Sequence, residues 1–266
     1  MDLELKDKHV LITGGSKGIG LACARSFLIE GARVSLVSRG EENLHAAADA
    51  LTEGLPGARE RIFGQAADLR DATVAAAAVD AVERGRGPVD ILVNSAGAAM
   101  RTPPEALTPQ HWRDAMDAKY FTYINVIDPL VKRMAGRGRG VILNVVGVGG
   151  KVASATHLPG GAANAALMLA SAGLASVYGP KGIRINVVNP AMTLTERLKE
   201  GLAADGLHQG ISAEEVLANA SARLPLGRVA RPEEIADAVL FLCSVRASYI
   251  SGAVLSMDGA LHPIVV

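Results

Sequence analysis

Aromatic residues are scarce in this sequence. One Trp, four Tyr and four Phe make up 3% of 266 residues, so the core must be aliphatic, and the 49% of hydrophobic residues supply it mainly as Ala, Val, Leu and Ile. Net charge is also missing: 27 basic and 27 acidic residues cancel, which leaves no basic excess for nucleic acid or an anionic membrane. Two cysteines, Cys23 and Cys243, are too few for a disulfide framework and read as buried thiols in a reducing compartment. No His/Cys/Asp/Glu cluster has metal-ligand spacing, so no metal is expected. The N-terminal MDLELKDKHVLITGG is charged and enters a strand pattern directly, without the features of a signal peptide. No apolar run is expected to reach membrane-spanning length. The expectation is one domain over 1–266, cytoplasmic, with a small-molecule partner and neither nucleic acid nor membrane.

Short β-branched runs alternate with Ala-rich amphipathic stretches. Strands are expected at 9–13, 33–37, 62–66, 91–94, 141–146, 183–188 and 254–257. Most are continuous apolar runs, as in strands covered on both faces. Seven such alternations predict an α/β fold: a doubly wound seven-stranded parallel sheet with helices on both faces. The Gly/Arg stretches at 84–88 and 136–140 read as solvated turns ending helices. About 192–222 carries no strand and, with LTERLKEGLAADGLHQG, reads as helices forming a lid over a substrate.

The segment TGGSKGIG (13–20) lies between the first strand and the first helix. Gly14, Gly18 and Gly20 form G-x-x-x-G-x-G, which lets backbone approach a pyrophosphate and aims the helix N-terminus at it. A nicotinamide dinucleotide is the implied cofactor. An NAD-preferring site would place a carboxylate at the end of the second strand to hold the ribose 2′-hydroxyl. Here that position is Ser38, followed by Arg39, with Lys17 in the glycine turn. Two cations suit a 2′-phosphate, so NADP(H) is favoured over NAD(H).

With these motifs the sequence resembles the short-chain dehydrogenase/reductase family over nearly its whole length, a Rossmann-type fold. TGGSKGIG is similar to the family's TGxxxGxG, ADL (67–69) to its adenine-contacting segment, and NSAG (94–97) to its NNAG. GPKGIRINVVNPA (179–191) and YISGAVLSMDGA (249–260) resemble its sixth- and seventh-strand segments. The resemblance implies cofactor contacts from Gly14, Ser16, Lys17, Gly18, Ile19, Gly20, Ser38, Arg39, Asp68, Leu69, Asn94, Ala96, Gly97, Pro190 and Thr193. It also implies a homo-oligomer, a dimer or tetramer, formed through the long helices after the fourth and fifth strands.

The family's chemistry couples hydride transfer to a proton from a tyrosine, assisted by a lysine, a serine and an asparagine. NAAL (164–167) stands where the family has KAAL, which puts Asn164 at the lysine position, Gly160 at the tyrosine, Gly147 at the serine and Lys119 at the asparagine. None of the four tyrosines has a lysine four residues later. The implied mechanism is therefore atypical. An ammonium and an amide survive with their places exchanged, so Lys119 is expected to point into the cofactor pocket with a lowered pKa. His157, three residues before Gly160, is the candidate general acid. Lys151, Tyr123, Tyr120, Asn144 and Ser154 are weaker candidates, and His111, Trp112 and His208 read as surface or packing residues. The two glycines are expected to enlarge the pocket and bare its walls. Besides an oxidoreductase acting on a carbonyl or hydroxyl compound, the pattern admits an inactive dinucleotide-binding homologue or a non-redox lyase or isomerase.

Overall fold

The computed structural model describes residues 1–97 and 99–264, apart from the side chains of 204, 205 and 208, so His208 lies outside the described side chains. Seven strands, β1 (His9–Thr13), β2 (Arg33–Ser38), β3 (Ile62–Ala66), β4 (Ile91–Asn94), β5 (Gly140–Val145), β6 (Ile183–Pro190) and β7 (Val254–Met257), form one parallel sheet in the order β3-β2-β1-β4-β5-β6-β7. The strand order reverses direction between β1 and β4. Crevices for ligands open at such a point, beyond the carboxyl ends of the strands.

Helices cover both faces. Leu28 of α1 (Gly18–Ile29), Leu51 of α2 (Glu41–Thr52) and Val239 of α9 (Pro232–Cys243) pack with Val10 and Val93 on one face. Val79 of α3 (Ala72–Arg86), Ile127 of α5 (Thr122–Arg137) and Leu167 of α6 (Leu158–Tyr178) pack with Leu92 and Ile142 on the other. β1 and β4 are buried at every residue, which is why they read as unbroken apolar runs. Phe27 and Tyr123 are the aromatics among the large fully buried side chains; small aliphatic residues fill the rest. Residues 192–222 contain α7 (Glu196–Gln209) and α8 (Ala213–Ala222).

One expectation needs correction. Ala155–Lys181 is long and apolar enough by length and composition to cross a membrane, with mean hydropathy 1.3. Here it contains α6, whose Ala163 and Leu167 are fully buried against the sheet, so its apolarity serves the core.

A polar chain crosses the middle of this apolar sheet. Thr13 Oγ1 donates to Asn94 Oδ1 (3.1 Å), Asn94 Nδ2 to Asn144 Oδ1 (3.0 Å), Asn144 Nδ2 to Ser171 Oγ (2.9 Å), and Ser171 Oγ to the Leu167 carbonyl (2.6 Å). Each donor in the chain meets an acceptor, as burial requires. The chain ties β1, β4, β5 and α6 together just behind their carboxyl ends.

α4 (Pro109–Ala115) runs into α5 through a π turn, Met116–Phe121. The wider turn inserts a residue into the helical repeat and directs Lys119 into the protein. Lys119 Nζ donates to Tyr123 Oη (2.9 Å) and to the Val145 carbonyl (3.1 Å), while Tyr123 Oη donates to that same carbonyl (2.6 Å). Burial, with a smaller contribution from Arg197, lowers the Lys119 pKa to about 7. The unfolded chain, with lysine near its ordinary value, holds more protons than the folded one between pH 7 and 10.5, so stability rises with pH across that window. From pH 7 to 9 this amounts to about 2 kcal/mol. We expect Lys119→Met to be more stable than wild type at pH 7, with the advantage shrinking by about that amount at pH 9. Urea titrations at the two pH values measure it, and a constant difference would show that Lys119 stays charged.

Candidate active site

A cleft of about 1150 Å³ opens at the carboxyl ends of the central strands. The turn after β1 forms its floor. Gly14 has φ +66°, and a Cβ there would lie 2.7–2.9 Å from backbone atoms of Ser95 and Ala96. Only glycine allows the two loops to meet and leave backbone facing the cleft. Gly18, with φ +55°, starts α1, and a Cβ on it would press on Thr195 at 3.2 Å. Gly20 serves packing: a Cβ would overlap the Gly14 carbonyl oxygen.

Gly14, Ser16, Lys17, Ser38, Arg39, Asp68, Leu69, Ala96 and Gly97 all line the cleft. Ile19, in the first turn of α1, packs against the core. Asn94 belongs to the buried polar chain, and Pro190 ends β6. Thr193 turns inward: its hydroxyl meets the Ala191 carbonyl (3.3 Å) and its backbone bridges to Ala230. The Asp68 carboxyl is held below the usual carboxylate range, chiefly by the Arg70 guanidinium. Arg39 lies close enough to lower it slightly further. Lys17, Ser38, Arg39 and Asn43 make a polar, cationic rim without a carboxylate at the end of β2. A glycine cradle that a Cβ would fill, a free helix N-terminus and this rim fit the pyrophosphate and adenosine ribose of a nicotinamide dinucleotide.

At the other end of the cleft the expectation of bare, widened walls is corrected. A Cβ on Gly160 would overlap Cε1 and Nε2 of His157, so the imidazole occupies the root of a side chain at 160. The His157 ring also reaches Gly149, its Cδ2 3.4 Å from where a Cβ would stand. Asn164 Nδ2 lies 3.2 Å from the Cβ position of Gly147 and points at the Gly147 carbonyl at 3.5 Å. Gly147 itself has φ +139°, a conformation that serine would adopt only with strain. His157 and Asn164 thus fill the space beside Gly160 and Gly147, as close packing demands.

The expectation that Lys119 points into the cofactor pocket is also corrected. Its amine is spent on Tyr123 and Val145, and Lys119 is not among the residues lining the cleft. The π turn sets this direction. Lys151 likewise points away, toward Ser256 Oγ at 3.3 Å. Tyr123 is sealed, and burial pushes its phenol pKa up. Tyr120 stacks edge-on to Phe121, Asn144 belongs to the polar chain, and Ser154 is exposed.

His157 is a titratable group beside the reacting end, close in sequence to Pro159, which lines the cleft although His157 itself does not. It caps α6 as the last residue of a short turn, Ala155–His157, and is half-buried. Its Nδ1 is buried without a partner among the described residues. Its pKa falls below 6.5, first through burial and then through Arg101, Arg197 and Lys119.

The structure adds residues that the sequence did not single out. Thr195 faces Gly18 and caps α7, accepting from Leu198 N (3.3 Å). Arg197 and Thr102 line the cleft. His111, expected at the surface or in packing, also lines it, with Nδ1 accepting from Thr108 N (3.1 Å). Threonine three residues before Leu198, opening an amphipathic stretch, is a capping signal that could have located Thr195.

Known proteins share this fold. Residues 14–262 match a family model described as Enoyl-(Acyl carrier protein) reductase. A D-threitol dehydrogenase of Mycolicibacterium smegmatis is 35% identical over 97% of this chain and 94% of its own. The crystal structure of L-sorbose reductase from Gluconobacter frateurii, complexed with NADPH and L-sorbose, superposes with a TM-score of 0.93 at 30% identity, covering 100% of both chains. An NADPH-bound short-chain oxidoreductase from Pseudomonas aeruginosa PAO1, described as containing an atypical catalytic center, gives 0.88 at 29% identity over 98% of this chain and 100% of that one. On the fold, the glycine cradle and this breadth of similarity, the chain belongs to the short-chain dehydrogenase/reductase family of oxidoreductases.

Proposed function

We propose that the protein is an NADP(H)-dependent oxidoreductase that interconverts a hydroxyl and a carbonyl on a small molecule, with His157 as the proton-transferring group in a site lacking the family's tyrosine and lysine. One observation carries this reading: the imidazole stands at the root of the missing side chain at Gly160. Gly14, Ser16, Lys17, Asp68, Leu69, Ala96 and Gly97 would hold the cofactor, and Ser38, Arg39 and Lys17 would meet its 2′-phosphate. When bound, that cofactor supplies or accepts the hydride. NADPH in two of the similar structures supports the choice of phosphate.

The chain's own residues manage the proton. In oxidation, neutral His157 takes it from the substrate hydroxyl through Nε2; in reduction, the imidazolium returns it to the carbonyl oxygen. The lowered pKa keeps the ring neutral at pH 7 and makes the imidazolium a stronger acid. Asn164 and Lys119 act as positioning residues: the amide secures the Gly147 turn, and the amine holds the end of β5 while its positive form acts on His157. A lyase or Schiff-base role for Lys119 has no support from an amine sealed against Tyr123 and Val145. α7 and α8 serve as the lid of the substrate site, over about 192–222. Two buried, unpaired thiols support a cytoplasmic setting, and we extend the reading to a homodimer or homotetramer.

Two measurements test this reading. Nicotinamide fluorescence titrations should show NADPH bound about tenfold or more tightly than NADH, and Arg39→Ala should remove most of that preference while leaving NADH affinity unchanged. Absence of binding by either nucleotide would refute the assignment. His157→Gln should lower kcat about 10²–10⁴-fold with NADPH affinity unchanged. For wild type, kcat/KM for alcohol oxidation should stay level from pH 8 to 6.5 and fall below that, as the imidazole becomes protonated; the variant should lose this acid limb.

A further inference from the structure

The wall facing His157 carries positive charge without a matching carboxylate. Arg197, in the first turn of α7, lines the cleft together with Met100 and Thr102. Arg101 sits between those two residues. Its loop is pinned to the turn that carries His157: Thr102 N donates to the Thr156 carbonyl (2.9 Å), and Arg101 Nη1 lies 3.5 Å from Thr156 Oγ1. Among the described residues neither arginine makes an ion pair with an acidic side chain.

The cleft does hold carboxylates, but they are placed elsewhere. Asp68 is paired with Arg70, Asp71 caps α3, Asp114 accepts from Gln110 Nε2 (2.8 Å), and Asp117 acts on Arg70. All charges resolved as acting on His157 are positive: Arg101, Arg197 and Lys119. Two exposed guanidiniums held near an imidazole and a buried amine repel one another, and an anion between them relieves that repulsion. Guanidinium groups also match the planar or tetrahedral oxygens of carboxylates and phosphates.

We infer that the substrate carries an anionic group, a carboxylate or a phosphate, clamped by Arg101 and Arg197 while its reacting carbon faces His157. This specificity rests on the oxidoreductase reading above. The anion would fix one end of the substrate, so that the distance from charge to carbonyl selects which position reacts.

The experiment uses NADPH-loaded protein, so that the cofactor's own phosphates are already in place. Reduction of 3-oxobutanoate is compared with its methyl ester, and dihydroxyacetone phosphate with dihydroxyacetone. The expected result is a preference of about tenfold or more in kcat/KM for the charged member of one pair, and which pair shows it distinguishes carboxylate from phosphate. Arg197→Gln and Arg101→Gln should abolish the preference by raising KM for the anion; since either change also relieves the depression of the His157 pKa, the readout is the charged-to-neutral ratio in kcat/KM, which should fall to about one. In parallel, isothermal titration calorimetry with succinate and with inorganic phosphate reports anion binding without turnover. Anion binding that Arg197→Gln removes, in a protein that reduces none of the four ketones, supports the anion clamp and overturns the His157 chemistry. Equal use of charged and neutral substrates overturns the clamp. So does absence of calorimetric anion binding in an inactive protein, or an Arg197→Gln variant that weakens NADPH while leaving the anion preference intact.

Discussion

The site depends on how closely two loops approach at the centre of the sheet. Gly14 touches the backbone of Ser95 and Ala96, and Thr13 Oγ1 accepts from Ser95 N (3.2 Å) while donating to Asn94. One threonine hydroxyl therefore joins the turn after β1 to the loop after β4, where the strand order reverses. Were the loops to separate, the cradle and the substrate wall would lose their common reference. The polar chain running on through Asn144 to Ser171 extends this join to α6, which carries Gly160 and Asn164. Cofactor floor and reacting end are thus parts of one hydrogen-bonded frame set within an apolar core.

That frame sets the neighbours that close in on Gly160 and Gly147. Replacing a large side chain with glycine in a packed interior ordinarily leaves a void. Here Gly160 admits the His157 ring, and Gly147 adopts a backbone angle that lets the Asn164 amide approach. The replacements are local in sequence, three residues back in one case and seventeen on in the other, and they use the same helix N-terminus. Asn164 and Lys119 are placed differently. Asn164 remains at the site, whereas Lys119 is withdrawn into the wall, where its amine and the Tyr123 hydroxyl share one carbonyl.

Most of the fold was legible in the sequence because its central strands are buried and read as uninterrupted apolar runs. Ser38 and Pro190 extend two strands beyond their expected ends, and β5 starts at Gly140, since register with the neighbouring strand continues past the apolar stretch. The glycine cradle was legible because glycine spacing encodes close backbone approach directly. The reacting end was not. Periodicity gives no sign of a π turn, so the direction of Lys119 could not be read; a pocket wall inferred from two glycines omitted the neighbours free to fill it. Thr195 carried a capping signal for the start of α7, but its approach to Gly18, and the place of Arg197 in the cleft, are set by where α7 lies over the sheet, which only the chain's path shows.

The π turn has a consequence for the helix as a whole. Along a regular α-helix the faces are locked together, so residues that meet a ligand at one end fix which residues meet the core at the other. Between Pro109 and Arg137 that lock is broken once, at Met116–Phe121. Upstream, His111, Asp114 and Ala115 look onto the cleft; downstream, Tyr123, Val126, Ile127 and Leu130 look onto the sheet. A one-residue phase shift uncouples the two segments. The ligand-facing part can change its residues, and even its rotation, without disturbing the packing surface that continues on the same axis.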